Sequence, residues 1–155
     1  MAAFRSLVHF LKRLPTLWRG STRHAPSPIE PHDRISRFVL NKDHIKPAKN
    51  IVHWRAFFSK TDSSLSVSRT EGMSETEVWT YADSFVATEA RSNVFGRGDL
   101  TPSQLRSREE LLLLTVEADE PPVRHAVIRG WPTDEEQRRS MAQVLGALAT
   151  CVVRP

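Results

Sequence analysis

Histidine and arginine are the side chains of this 155-residue sequence best suited to chemistry, and several fall where a strand or loop end would present them. His125 follows Arg124 in the run Val123–Ile128, just ahead of Gly130-Trp131-Pro132. An imidazole titrates near neutrality and serves as general acid or base. Successive strand side chains face opposite ways, so Arg124 and His125 are expected on different sides of a sheet. His53 and Arg55 share one face of a predicted strand over Ile51–Phe58, and Arg69 closes the alternating run Ser64–Thr70. Were these strands neighbours, His53, Arg55 and Arg69 could converge. Together with His125 they would suit a metal-independent ribonuclease or hydrolase of a toxin-like kind. One imidazole would take a hydroxyl proton, another would protonate the leaving oxygen, and arginine would stabilise the phosphorane charge. The catalytic candidates are therefore His125, His53 and Arg69. The structural alternatives are histidines hydrogen-bonded beside the core and an Arg69 paired with Glu71 or Glu75.

The recognisable catalytic and cofactor motifs are missing. There is no Walker loop, GxGxxG, HExxH, GxSxG or EF-hand loop. No histidine pair has helical metal-ligand spacing, so no metal and no cofactor are expected. Gly96-Arg97-Gly98 reads as a turn inside a loop spanning Arg91–Leu100. The single cysteine, Cys151, lies in an apolar run and excludes an intramolecular disulfide framework. It reads as a core filler in a cytoplasmic, reducing setting. The alternative address is an organelle, through a transit-like N-terminus.

Charge gives the second class of candidates. Residues 1–50 hold ten Lys/Arg against Glu30, Asp33 and Asp43, whereas the rest of the chain is net acidic. Such asymmetry points the basic end toward an acidic protein partner or a nucleic acid. The binding candidates are Arg5, Lys12, Arg13, Arg19, Lys42, Lys46, Lys49 and Arg124. Trp131, set between a strand and a helix, is the tryptophan best placed to stack on a base or act as a lid.

These residues need elements to hold them. Phe4, Leu7, Val8, Leu11 and Leu14 recur at helical spacing, so residues 3–14 are predicted to form an amphipathic helix ended or kinked by Pro15. This arm also suits a membrane surface through residues 1–18. The Pro- and Ser-rich stretch after it reads as a linker, giving residues 1–33 as arm plus linker and 34–155 as one domain. Arg34–Leu40 is ambiguous between strand and short helix. Ser74 and Glu77 form a predicted capping box for a helix to about Ala90, and Thr133 with Glu136 form another for Asp134–Ala149. Thr101-Pro102 opens a short helix, Glu110–Ala118 and Val123–Ile128 are strands, and Cys151–Val153 adds an edge. The expected fold is α+β, a small mostly antiparallel sheet with two main helices packed on one face.

Leu65-Ser66-Val67-Ser68-Arg69-Thr70, leading to Ser74–Trp79, and the later Arg124-His125-Ala126-Val127-Ile128-Arg129-Gly130-Trp131-Pro132 resemble a family of small bacterial proteins. The resemblance runs from about Arg37 to Val153 and implies that the arm is an appendage. It implies no activity or cofactor. The leading functional expectation is an interaction module whose basic arm docks on an acidic or nucleic-acid partner, as could a subunit of a larger assembly, with the His/Arg hydrolase as the alternative.

Overall fold

The computed structural model describes residues 27–61, 63–106 and 113–155. The arm helix predicted over residues 3–14, with Arg5, Lys12, Arg13 and Arg19, lies outside the described residues, as does the start of the strand expected over Glu110–Ala118.

The strands are β1 (Ile35–Val39), β2 (Ile45–Lys46), β3 (Ile51–Val52), β4 (Leu65–Arg69), β5 (Gly96–Leu100), β6 (Thr115–Ala118), β7 (His125–Arg129) and β8 (Thr150–Val153). Six of them form an antiparallel sheet in the order β6-β7-β4-β1-β5-β8, and β2 and β3 form a separate hairpin. Helix α1 (Glu75–Tyr81) runs on through a π-helical stretch (Ala82–Ala87) into the short α2 (Thr88–Ala90), and α3 (Glu135–Leu148) precedes the last strand. This is the expected α+β class.

The helices divide between the two faces of the sheet, where the sequence suggested a shared one. Alternation along each strand sets the division. Ile35 and Val39 of β1, Leu65 and Val67 of β4, and Ala126 and Ile128 of β7 pack with Ala142 and Leu145 of α3. The intervening Phe38 packs instead with Val78, Tyr81, Ala82 and Phe85 of the α1 region. The face toward α3 is apolar, whereas on the other Phe38 and Val127 stand among Ser36, Ser66 and Ser68, and the α1 region covers it in part.

The predicted caps explain where the helices start. At α1 both halves of the box form, with the Glu77 amide donating to Ser74 Oγ and the Ser74 amide donating to Glu77 Oε2 at 2.8 Å. At α3 the cap is Asp134 rather than Thr133, and its carboxylate accepts from the Gln137 amide at 2.8 Å. Asp and Thr both cap well, so sequence alone leaves the choice between adjacent residues open.

Three predicted elements differ. The strand expected over Ile51–Phe58 ends at Val52, and a 3₁₀ turn (Trp54–Ala56) follows, with His53 as its cap. The helix expected from Thr101 is a single 3₁₀ turn at Gln104–Arg106. The Gly96-Arg97-Gly98 turn is instead the core of β5, paired with β1 on one side and β8 on the other. A Cβ on Gly98 would lie 2.7 Å from Phe57 Cζ and 3.2 Å from Ala149 Cβ. Here glycine serves close packing against the sheet and not turn formation. Gly146 plays the matching part on α3, since a Cβ there would meet the Val52 carbonyl oxygen at 2.7 Å. Its absence lets α3 lie directly on the hairpin and the turn behind it.

Ile29 packs against the main core, and the Pro28 carbonyl accepts from Arg69 Nη2 at 3.4 Å. The chain is therefore already on the domain surface before Arg34.

Candidate functional site

Two places gather functional groups, and they lie on opposite sides of the sheet. The first is the β2–β3 hairpin with the turns that flank it. Asn41 caps the 3₁₀ turn Lys42–His44 by accepting from the Asp43 amide at 2.9 Å. Pro47–Lys49 form another turn, closed by Asn50 in the left-handed conformation, φ 50°. Ile45 and Val52, opposite each other in the hairpin, anchor it in the core. The remaining side chains face water: Lys42, Lys46, Lys49 and Arg55 are all exposed. Only Asp43 opposes these cations between residues 42 and 55.

Rings sit among them. His44 and His53 stack with centroids 5.4 Å apart and planes 18° from parallel. His53 continues onto Trp54 at 5.6 Å, and the Arg55 guanidinium lies 5.4 Å over the indole. The His53 ring is held by the Arg55 amide, which donates to Nδ1 at 3.3 Å. Desolvation, then the neighbouring cations, pushes both imidazoles below the ordinary histidine value; His44 also feels His53, and His53 feels Arg55 and Lys46. At neutral pH the pair is therefore uncharged within a ring of lysine and arginine.

These cations have no ion pair among the described residues, whereas Arg34, Arg69, Arg97, Arg129, Arg139 and Arg154 do. Arg97 bonds Glu75 and Asp99, Arg154 grips Asp83 in a two-pronged pair at 2.7 Å, Arg129 meets Glu117 and Arg139 meets Glu135. Arg97 also lies 4.9 Å over the Trp79 ring. Those guanidinia are engaged in holding the fold. Lys42, Lys46, Lys49 and Arg55 are not.

The second place is a groove of about 610 Å³ between the α1–α2 segment, the faces of β1, β4 and β7, and the loop before β7. His125 lies in it. Its Nδ1 is 2.8 Å from the Asp119 carbonyl oxygen and 3.3 Å from Asp119 Oδ2. Both are acceptors, so Nδ1 carries a proton, and in a neutral ring Nε2 is the acceptor. Ser68 is paired directly with His125 across the β4–β7 ladder, and Ser66 is paired with Val127. Ser66, Ser68 and His125 therefore share one face of the sheet. Tyr81 donates to the Val123 carbonyl at 3.0 Å, and burial pushes its hydroxyl up to about 12.

The remaining candidates are placed elsewhere. Arg69 ends β4 with its guanidinium near Pro28 and 4.0 Å from Glu120. Arg124 precedes β7 in the left-handed conformation, φ 66°, and its Nη1 donates to the Arg69 and Glu71 carbonyls. Trp131 is buried, and its indole N–H donates to the Ile128 carbonyl at 3.0 Å. The hairpin thus brings together Lys42, Lys46, Lys49 and His53, while His125 and Arg69 lie apart from it. Asp119, Ser66 and Tyr81 were not singled out in the sequence. The signal for Ser66 and Ser68 was present, as alternating hydroxyls opposite a histidine-bearing strand. Asp119 depended on how the Pro121-Pro122 loop returns.

Among the described residues no group of three or more His, Cys, Asp or Glu could hold a metal, and no helix is long and apolar enough to cross a membrane. Comparison with known proteins finds no matching family model, no matching curated protein and no matching solved structure.

Proposed function

We propose that this protein is a binding module that docks on a polyanion through the hairpin surface, with single-stranded nucleic acid the favoured partner. The observation that carries the reading is the set of exposed, unpaired cations Lys42, Lys46, Lys49 and Arg55 around the His44–His53 stack. Clustered cations attract phosphate mainly by releasing condensed counterions. The half-exposed His44, His53 and Trp54 rings favour nucleic acid over an acidic protein segment, because bases stack on planar groups and carboxylates do not. Arg5, Lys12, Arg13 and Arg19 of the arm would extend the same attraction, consistent with a place in a larger assembly.

The alternative, a metal-independent hydrolase or ribonuclease, asked for His125, His53 and Arg69 in one cleft. His125 lies in the groove and His53 caps a turn beside the hairpin, which favours the binding reading over this one.

Fluorescence anisotropy of the full chain with a labelled single-stranded RNA, in competition with polyglutamate, tests the proposal. RNA binding that resists polyglutamate supports it. Equal displacement by both would assign the surface to acidic proteins, and no binding at low salt would remove the reading altogether.

A further inference from the structure

The groove on the other side of the sheet has a chemistry opposite to that of the hairpin. Its volume of about 610 Å³ falls within the range of small-molecule sites. Phe38, Leu40, Phe85, Val86 and the Pro121-Pro122 pair give it apolar walls. The polar groups along it are chiefly acceptors. Glu89, Asp119 and Glu120 place carboxylates on its lining. In a neutral ring His125 offers Nε2, because its other nitrogen donates to Asp119. Ser66 is exposed on the floor, and its hydroxyl has no partner among the described residues.

Most of the groups that could supply donors are engaged elsewhere, and among the described residues Arg37 is the one cation on the lining. Arg37 Nε and Nη1 donate to the Ala56 and Ser66 carbonyls at 2.8 Å. The Tyr81 hydroxyl donates to Val123, and Ser36 bonds Thr70 and Asp99. An anion entering the groove would meet carboxylates and few donors. A ligand rich in N–H, positively charged and apolar over the rest of its surface would find complements for both parts.

We propose that this groove is a binding site for a small organic ammonium ion with an apolar body. Its head would lie among Glu89, Asp119, Ser66 and His125 Nε2, and its body against Phe38, Phe85 and the prolines. The site is independent of the polyanion surface, so either proposal stands if the other fails.

The test uses the isotopically labelled full chain and nuclear magnetic resonance titrations with three probes of one shape: phenethylammonium, 2-phenylethanol and phenylacetate. A ligand of this size binds with a Kd on the order of 1 mM. Saturable shifts at Ser66, Glu89 and His125 with phenethylammonium, about tenfold tighter than with phenylacetate, are expected. Glu89→Gln, at an exposed position that leaves the fold intact, should weaken the amine by about three- to fivefold. Ser66→Leu fills the floor and should abolish binding. Equal affinity for amine and carboxylate, or no shift confined to the groove, would overturn the proposal. So would groove shifts caused by a peptide of residues 1–18 with none from the amine, which would give the groove to the chain's own basic arm.

Discussion

Replacing Arg97 with methionine should remove a large part of the domain's stability, and the surroundings of this side chain set the magnitude. Arg97 is 1% exposed and sits mid-sheet on β5. Its Nε donates to both oxygens of Asp99, at 2.9 and 3.0 Å, and its terminal nitrogens to Glu75 at 2.8 and 2.7 Å. The two carboxylates would fare differently without it. Glu75 is 57% exposed and regains water, whereas Asp99 is 12% exposed and, among the described residues, keeps only Ser36 as a donor. Leaving one partner of a buried pair uncompensated costs about 3–5 kcal/mol. Against a total of ~5–15 kcal/mol for a domain, that is a substantial fraction. Urea unfolding followed by circular dichroism reads the change directly, provided the m-value is unchanged. Adding Asp99→Asn should recover at least about 1 kcal/mol of the loss, because the stranded charge goes with it. A loss under about 1 kcal/mol for Arg97→Met, or strictly additive effects in the pair, would refute the reasoning.

Other outcomes follow from the same geometry. Gly98→Ala forces a methyl to within 2.7 Å of Phe57, so it should destabilise by about 1–3 kcal/mol despite its small size, read by thermal unfolding. Glu75 and Asp83 are held below the ordinary carboxylate range first by hydrogen bonds from Arg97 and Arg154 respectively. Their contribution is present above the ordinary carboxylate range and is lost as pH falls through it and below. Arg154→Met should therefore flatten the acid limb of a stability-versus-pH curve. His44 and His53 have lowered values, so the hairpin gains charge as pH falls below the ordinary histidine range. Polyanion binding at fixed salt should be tighter at acid than at neutral pH. A His44→Ala/His53→Ala variant should lose that difference and, with two stacking rings gone, part of its neutral-pH affinity for single-stranded RNA as well.

Local signals in the sequence marked α1, α3, β4, β7 and β8, because each rests on neighbours in the chain: a capping residue, an apolar stripe or a period-two alternation. β5 was hidden because its signal is tertiary. Glycine and charged residues argue against a strand, and Gly-Arg-Gly-Asp makes sense only once Phe57 presses on one face and Glu75 meets Arg97 on the other. The aromatic run Ile51–Phe58 misled for the converse reason. Its apolar residues are buried by a 3₁₀ turn under α3, a packing that strand propensity does not anticipate. The side of the sheet on which each helix lies depends on chain connections, which composition does not encode.

The candidate sites were legible in part. The basic character of Lys42, Lys46 and Lys49 is a plain sequence feature, but the stacking of His44 on His53 is made by the hairpin pairing of β2 with β3. His125 was identifiable by type alone. Its partner Asp119 is brought to it by a loop whose path was not, and Arg124 was misjudged as a strand residue because its left-handed backbone gives no signal in residue type.

The central claim is that unpaired cations on the hairpin bind phosphate, and the salt dependence of RNA affinity tests it most directly. Each phosphate contact on a single strand contributes about 0.7 to the slope of log affinity against log salt. The native chain should show a steep slope, and Lys42→Gln/Lys46→Gln/Arg55→Gln should lower it by about 2. An affinity indifferent to salt, or a slope unchanged by the triple substitution, would contradict the account.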